Sequence, residues 1–431
     1  MLAMTKRIRT HPLTGLTCLL ATGFSPLLVN HAACAQEADD EVTIVLVGDV
    51  GLNRNGQPVE AGGVRRDGFY AWDETTALIA GDINGDLNFM NAETVITDRN
   101  DLPRDTKGQS GPYNFRSHPD GIRHLVARGF NLMSLANNHS MDYGVPGLKD
   151  TLKYVGRLEK RNLVTAAGLG MNREEAGRPQ EIDVKGSKIA FGAIGIVTNN
   201  LERHRAGPDK PGQIAYRFDD DFAEVRKRMT AVPADYRILS IHYGVEGQVR
   251  TDAKQVAEWR RKAALKDGID LIVGHHAHVV RGVERVGNSL IFYGLGNFLH
   301  PGTADMTRRG ICRDYGLMAR VHLKRSSEGK LRVRAVAAIP VTDTHIRPRR
   351  LTGEQGQAHI HALNYLAGML DDPADDARGV RFTPQRDGSG LYCEPGAKRD
   401  GGSIGALCRN YAPAPPVPRH LRQSIAASCS K

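Results

Sequence analysis

Beyond its first 35 residues the chain has no apolar run approaching the ~18 residues of a membrane span. Cysteine is scarce, with six in 431 residues. Among the last four, Cys312, Cys393, Cys408 and Cys429, no two sit close together. That spacing argues against a thiolate zinc site, and soft metals would call for Cys or Met ligands. Nucleic-acid motifs are missing, as are patches of interleaved aromatic and basic residues, so no nucleic-acid partner is expected. No internal repeat is found. Negative charge is the minority sign: the formal net charge is +10, an excess that favours anionic partners without identifying one.

The N-terminus reads as a targeting segment. Lys6, Arg7 and Arg9 make a basic start, and Leu13 to Val29 is mostly apolar but broken by Gly15, Gly23 and Pro26. Ala33-Cys34-Ala35 supplies a small-x-small cleavage site. A lipid-modified Cys34 is disfavoured by His31, which stands where an apolar residue is wanted. Residues 1–35 are therefore expected to be a signal peptide. The mature chain is expected to be exported and soluble, in the periplasm or at the cell envelope. An even number of cysteines in an exported chain predicts disulfides, with three pairings open. Residues 346–431, rich in Gly, Pro and Cys, read as a pinned and partly disordered extension to a main domain at 42–345.

Leu271-Ile-Val-Gly-His-His-Ala-His278 is the most informative stretch. A short apolar run bounded by glycine reads as a buried strand, and it ends by presenting His275, His276 and His278. On an extended chain, side chains two apart share a face, so His276 and His278 are expected to converge on one point. One isolated His-x-His would more often cap a strand. Four other runs end in the same manner: Val42–Asp49, Leu87–Glu93, Phe130–His139 and Arg237–His242. Ligands in open α/β sheets bind beyond the carboxyl ends of the strands. Five such ends, all carrying nitrogen or oxygen donors, predict one polar pocket.

Asp49, Glu93, Asn138, His242, His276 and His278 form a donor set suited to one or two divalent ions, Mn, Zn or Fe. Glu93 is placed to bridge a two-metal hydrolytic clamp. His139 is the expected general acid, and Asp142 the carboxylate that orients its ring. Either Asn138 or Asp142, taken alone, could equally cap the helix that follows. Helical spacing at 119–128, 147–159, 219–229, 252–266 and 352–369 alternates with strands in the first half. Hairpins follow in the second, including one turning at Val286-Gly-Asn288. The pattern predicts a layered α/β sandwich rather than a simple doubly wound sheet.

Gly48-Asp49, Asn91-Ala-Glu93, Ala136-Asn-Asn-His139-x-x-Asp142-Tyr-Gly144, His242-Tyr-Gly-Val-Glu246, Gly274-His-His276-Ala-His278 and Tyr293-Gly-Leu-Gly-Asn297-Phe occur in order. Together, over roughly 42–345, they resemble the CapA/PgsA family of bacterial capsule and poly-γ-glutamate synthesis proteins, related to calcineurin-like metallophosphoesterases. The resemblance implies a four-layer α/β/β/α sandwich of metallophosphoesterase type. It also implies a role in making or handling an anionic envelope polymer, with a membrane-bound synthase as a partner. In its pattern Asp49 is the first aspartate, Glu93 the bridging acid, Asn138-His139 the Asn-His block, His242 the lone histidine and His276 with His278 the final pair. Gly51 departs from it, because phosphoesterases of this type carry a metal-binding histidine there. Two functional classes follow. One is a metal-dependent hydrolase or transferase acting on a phosphoester or on an amide-linked or glycan polymer. The alternative is a non-catalytic polymer-binding or synthase-accessory protein that retains the fold.

Overall fold

The computed structural model describes residues 6–7, 40–108, 110–196, 201–263, 268–306 and 309–430. The predicted signal peptide falls almost wholly outside the described residues. Among these, no helix is long and apolar enough to cross a membrane.

Two large mixed sheets organise the chain. In the first, Glu41–Val50 lies between Leu87–Ala92, which it pairs in parallel, and Gly316–Arg325, which it pairs antiparallel. In the second, Ser187–Gly195, Tyr236–His242 and Leu271–His275 run parallel and adjacent. Strand periodicity explains how the sheets stack. Val42, Ile44 and Leu46 point one way, into an apolar cluster shared with Phe191, Ile238, Leu271 and Val273 of the other sheet. Val45 and Val47 point the opposite way, into a cluster completed by Ile122, Leu125, Leu148 and Val155. Those partners come from the helices Pro119–Ala127 and Gly144–Glu159. The second sheet behaves alike, with Leu239, Ile241 and Ile272 packing on Phe222, Val225 and Trp259. Strands covered on both faces read as continuous apolar runs, and each Val, Ile or Leu so buried contributes about 1.5–3 kcal/mol. An α/β architecture with large mixed sheets is thereby established.

Close backbone approach fixes one edge of the site. Asn297–Leu299 pairs in parallel with the end of Glu41–Val50, and a Cβ on Gly48 would stand 1.9 Å from the Gly296 carbonyl oxygen. Only glycine permits that contact.

The sequence predicts little order beyond residue 371, yet this segment adds strands to both sheets. Ala377–Gly379 pairs with Val283–Val286, and Gly390–Cys393 pairs with Leu331–Thr342. Composition misleads here because the ladder and two disulfides, Cys312–Cys429 and Cys393–Cys408, supply what a dense apolar pattern would otherwise provide. The first disulfide sits in an apolar cluster with Val249, Ala277, Val279 and Ile425, tying the terminal helix Arg419–Ser428 to the body.

Peptide mapping without reductant is expected to recover 312–429 and 393–408 linkages. Four free thiols, or a 312–393 link, would contradict the fold. Replacing Cys312 and Cys429 together by serine is expected to lower stability by about 2–5 kcal/mol in chemical denaturation.

Candidate metal centre

The donors gather where the parallel strands of the two sheets end. Asp49 is the next-to-last residue of Glu41–Val50, Glu93 follows Leu87–Ala92, and His242 closes Tyr236–His242. Asn138 and His139 follow Leu132–Ser134, and His276 and His278 follow Leu271–His275. The structure brings all six predicted ligands together. Glu93, His242 and His276 offer ligand atoms within 4.8 Å of one another, and so do Asp49, Glu93 and His278. Glu93 belongs to both groups. Asn138 joins the first, its Oδ1 2.7 Å from His242 Nε2.

One detail corrects the sequence reading. The strand ends at His275, and His276 and His278 are not extended: their φ angles are 86° and 55°. Left-handed backbone at such residues costs of order 1–3 kcal/mol and is held by its surroundings. Here the His276 N–H donates to Asp49 Oδ2 at 3.2 Å. The result is that the two imidazoles separate, one to each group, instead of converging on one point.

A cation fits this donor set. Both Glu93 oxygens, Asn91 Oδ1, His276 Nδ1 and both His300 nitrogens are buried without a hydrogen-bond partner. Burying a carboxylate unpaired is costly, and a divalent ion would supply the missing partner. Burial, reinforced by the charge of Asp49, pushes the Glu93 carboxyl well above its usual range. At Asp49 burial is outweighed by the adjacent His275 and His278, which hold it well below. Burial is likewise outweighed at His278, where the Glu93 and Asp49 carboxylates push the imidazole up to about 10. His242 and His276 are driven down by burial, His276 to about 3, which leaves them neutral as ligands must be.

His139 and Asp142 lie beside the cluster. His139 Nδ1 is 2.6 Å from Asp142 Oδ2, and its Nε2 is 3.9 Å from Glu93 Oε1. Asp142 does not cap the following helix. Its Oδ2 instead accepts the Phe115 N–H, and burial pushes its carboxyl up to about 7 against the pull of Lys107. Lys107 is absent from the sequence expectation. Its ammonium is buried, 2.5 Å from Asp142 Oδ1 and 3.0 Å from His139 Nδ1. Only tertiary folding of the 97–116 loop brings it there. Asn91 was legible: it lies two residues before Glu93 on one strand, and its Nδ2 donates to Asp49 Oδ1 at 2.8 Å. Asn297 Oδ1, 2.8 Å from His278 Nδ1, braces that ligand in the same way, and His275 Nδ1 stands 3.3 Å from Asp49 Oδ1. Glu246 is exposed at the rim, 4.0 Å from His276.

Above the cluster opens a cavity of about 460 Å³, lined by Lys107, Tyr113, Phe115, His139, Arg217 and Glu246, among others. This is an α/β protein with a two-part, metal-competent cleft at its strand ends. The chain belongs to the bacterial capsule synthesis protein PGA_cap family, whose model matches residues 43–301, and that family is grouped with the metallophosphoesterase-like proteins. The PGA biosynthesis protein CapA of Bacillus subtilis (strain 168) is 27% identical over 300 residues, 69% of this chain and 71% of that protein. The capsule biosynthesis protein CapA of Bacillus anthracis is 25% identical, over 61% of this chain and 60% of its own. A probable polyglutamine synthesis accessory protein of Mycobacterium tuberculosis is 28% identical, over 53% and 59%. Matches to the latter two thus span about three fifths of those proteins.

Because the His278 imidazole is pushed up to about 10, metal uptake at pH 7 is expected to release its proton, and affinity to rise with pH. Calorimetric titration with Mn2+ in buffers of different ionisation enthalpy measures this. Uptake without proton release would contradict the assignment. His276→Ala is expected to lower metal content, read by elemental analysis.

Proposed function

We propose that this chain is an exported, metal-dependent hydrolase of phosphoesterase type, acting on an anionic polymer or its precursor in capsule or poly-γ-glutamate biosynthesis. The observation that carries the reading is Glu93: a fully buried carboxylate without a hydrogen-bond partner, shared by two ligand groups whose His276 and His278 line an open cavity. The names of the Bacillus and Mycobacterium relatives support the polymer context. In this reading the two sheets and their flanking helices form the four-layer sandwich, and residues 42–345 are the catalytic domain.

Bound divalent ions would polarise an ester or related oxygen and activate a water near neutral pH. Manganese, zinc and iron all suit the nitrogen and oxygen donors. The protein's own groups do the rest. Arg217 attracts the anionic chain into the cavity. Asp142 accepts from His139 Nδ1 and fixes the ring so that Nε2 faces the cluster; burial and Lys107 hold this imidazole well below its usual range, so Nε2 takes up the proton released by the attacking water before passing it to the leaving group. Lys107 offsets the Asp142 charge that this orientation requires.

A phosphatase screen with a chromogenic ester and a poly-γ-glutamate cleavage assay, each with added Mn2+ or Zn2+, test the activity. His139→Ala is expected to lower turnover 10²–10⁴-fold with metal content unchanged. Metal-loaded protein that turns over neither substrate yet retains polyglutamate would favour a polymer-binding accessory role instead. Full turnover by His139→Ala would overturn the proton-donor assignment.

A further inference from the structure

His300 follows the short strand Asn297–Leu299 and has no place among the predicted ligands. It is wholly buried, and neither ring nitrogen has a hydrogen-bond partner. A core histidine kept for packing alone would be expected to satisfy at least one of them. The Nε2 atom lies 3.7 Å from Glu93 Oε2, whereas His278 Nε2 approaches the other oxygen, Oε1, at 3.8 Å. The two imidazoles thus flank the two oxygens of one carboxylate, with ring centres 5.8 Å apart.

The ring also fills a particular space. A Cβ built on Gly51 would stand 2.8 Å from His300 Nε2, 3.0 Å from Cε1 and 3.2 Å from Cδ2. Gly51 does not have a left-handed backbone, so glycine is not needed there for its conformation. It is needed because the imidazole occupies the volume of a side chain. Backbone bonds hold this arrangement: Gly51 N–H donates to the Leu299 carbonyl at 3.1 Å, and His300 N–H to the Thr344 carbonyl at 2.7 Å. Phe115 packs edge-on against the ring at 4.9 Å.

We propose that His300 is a metal ligand of the Asp49–Glu93–His278 group, delivered from the 296–303 segment into the space over Gly51. It completes the shell that the glycine at position 51 would otherwise leave one donor short. The proposal rests on the metal-centre reading above and adds to it the origin of the last ligand. His300 approaches the group through Glu93 Oε2, at 3.7 Å.

Mn2+ stoichiometry and affinity, measured by calorimetry and by elemental analysis after gel filtration, separate the two claims. Wild-type protein is expected to hold two equivalents. His300→Phe keeps an aromatic ring in the same space and removes the donors. It is expected to hold one equivalent, or to bind the second at least about 10-fold more weakly, as loss of a supporting ligand group commonly does. In the His300→Ala background, Gly51→His is expected to restore the second ion by supplying imidazole from the opposite side. Two equivalents at wild-type affinity in His300→Phe would overturn the proposal while leaving the metal centre intact. So would failure of Gly51→His to restore what His300→Ala loses. Wild-type protein that holds no Mn2+ would overturn both.

Discussion

Everything in this molecule's cleft answers to one buried carboxylate. Glu93 sits at zero exposure, with neither oxygen hydrogen-bonded, in surroundings where an unpaired charge is intolerable. Five imidazoles lie around it or around its neighbour Asp49, at 3.3 to 3.9 Å. A carboxylate in such a position either keeps a proton or holds a cation. The nitrogen donors gathered around it favour the cation. The two sheets exist in this arrangement, with parallel strands ending side by side, because their apolar faces must be buried against each other. The ring of donors is the polar rim of that same packing.

Much of this was legible in the sequence because strand ends are. Apolar runs stopping at Asp49, Glu93, Asn138, His242 and His275 announce both the α/β class and the pocket, since a buried parallel strand is a nearly continuous hydrophobic word with a polar final letter. The segments that escaped detection follow no such rule. Lys107 lies in a polar loop without periodicity, and only the tertiary pairing with Asp142 takes it out of solvent. His300 comes after three residues of strand that pair with Glu41–Val50, and nothing local distinguishes it from a surface histidine. His276 and His278 were recognised as donors, but two left-handed residues send them to different groups, which alternation along a strand cannot anticipate. The C-terminal segment was underrated for a related reason. Its order comes from edge pairing and disulfides rather than from its own composition.

The cavity gives the centre its direction. Its walls carry Asn138, His139, His276 and His278 together with Lys107 and Arg217. Tyr113, also in the lining, is 61% exposed. The terminal helix, tied by its disulfide to the segment that follows His300, links the C-terminal extension to the wall of the same cavity.

The most direct measurement is anomalous diffraction from crystals grown with Mn2+. The account predicts two peaks about 3.5–4 Å apart, one on each side of the Glu93 carboxylate. A map with no peak at Glu93, or with manganese bound elsewhere on the protein, would contradict it.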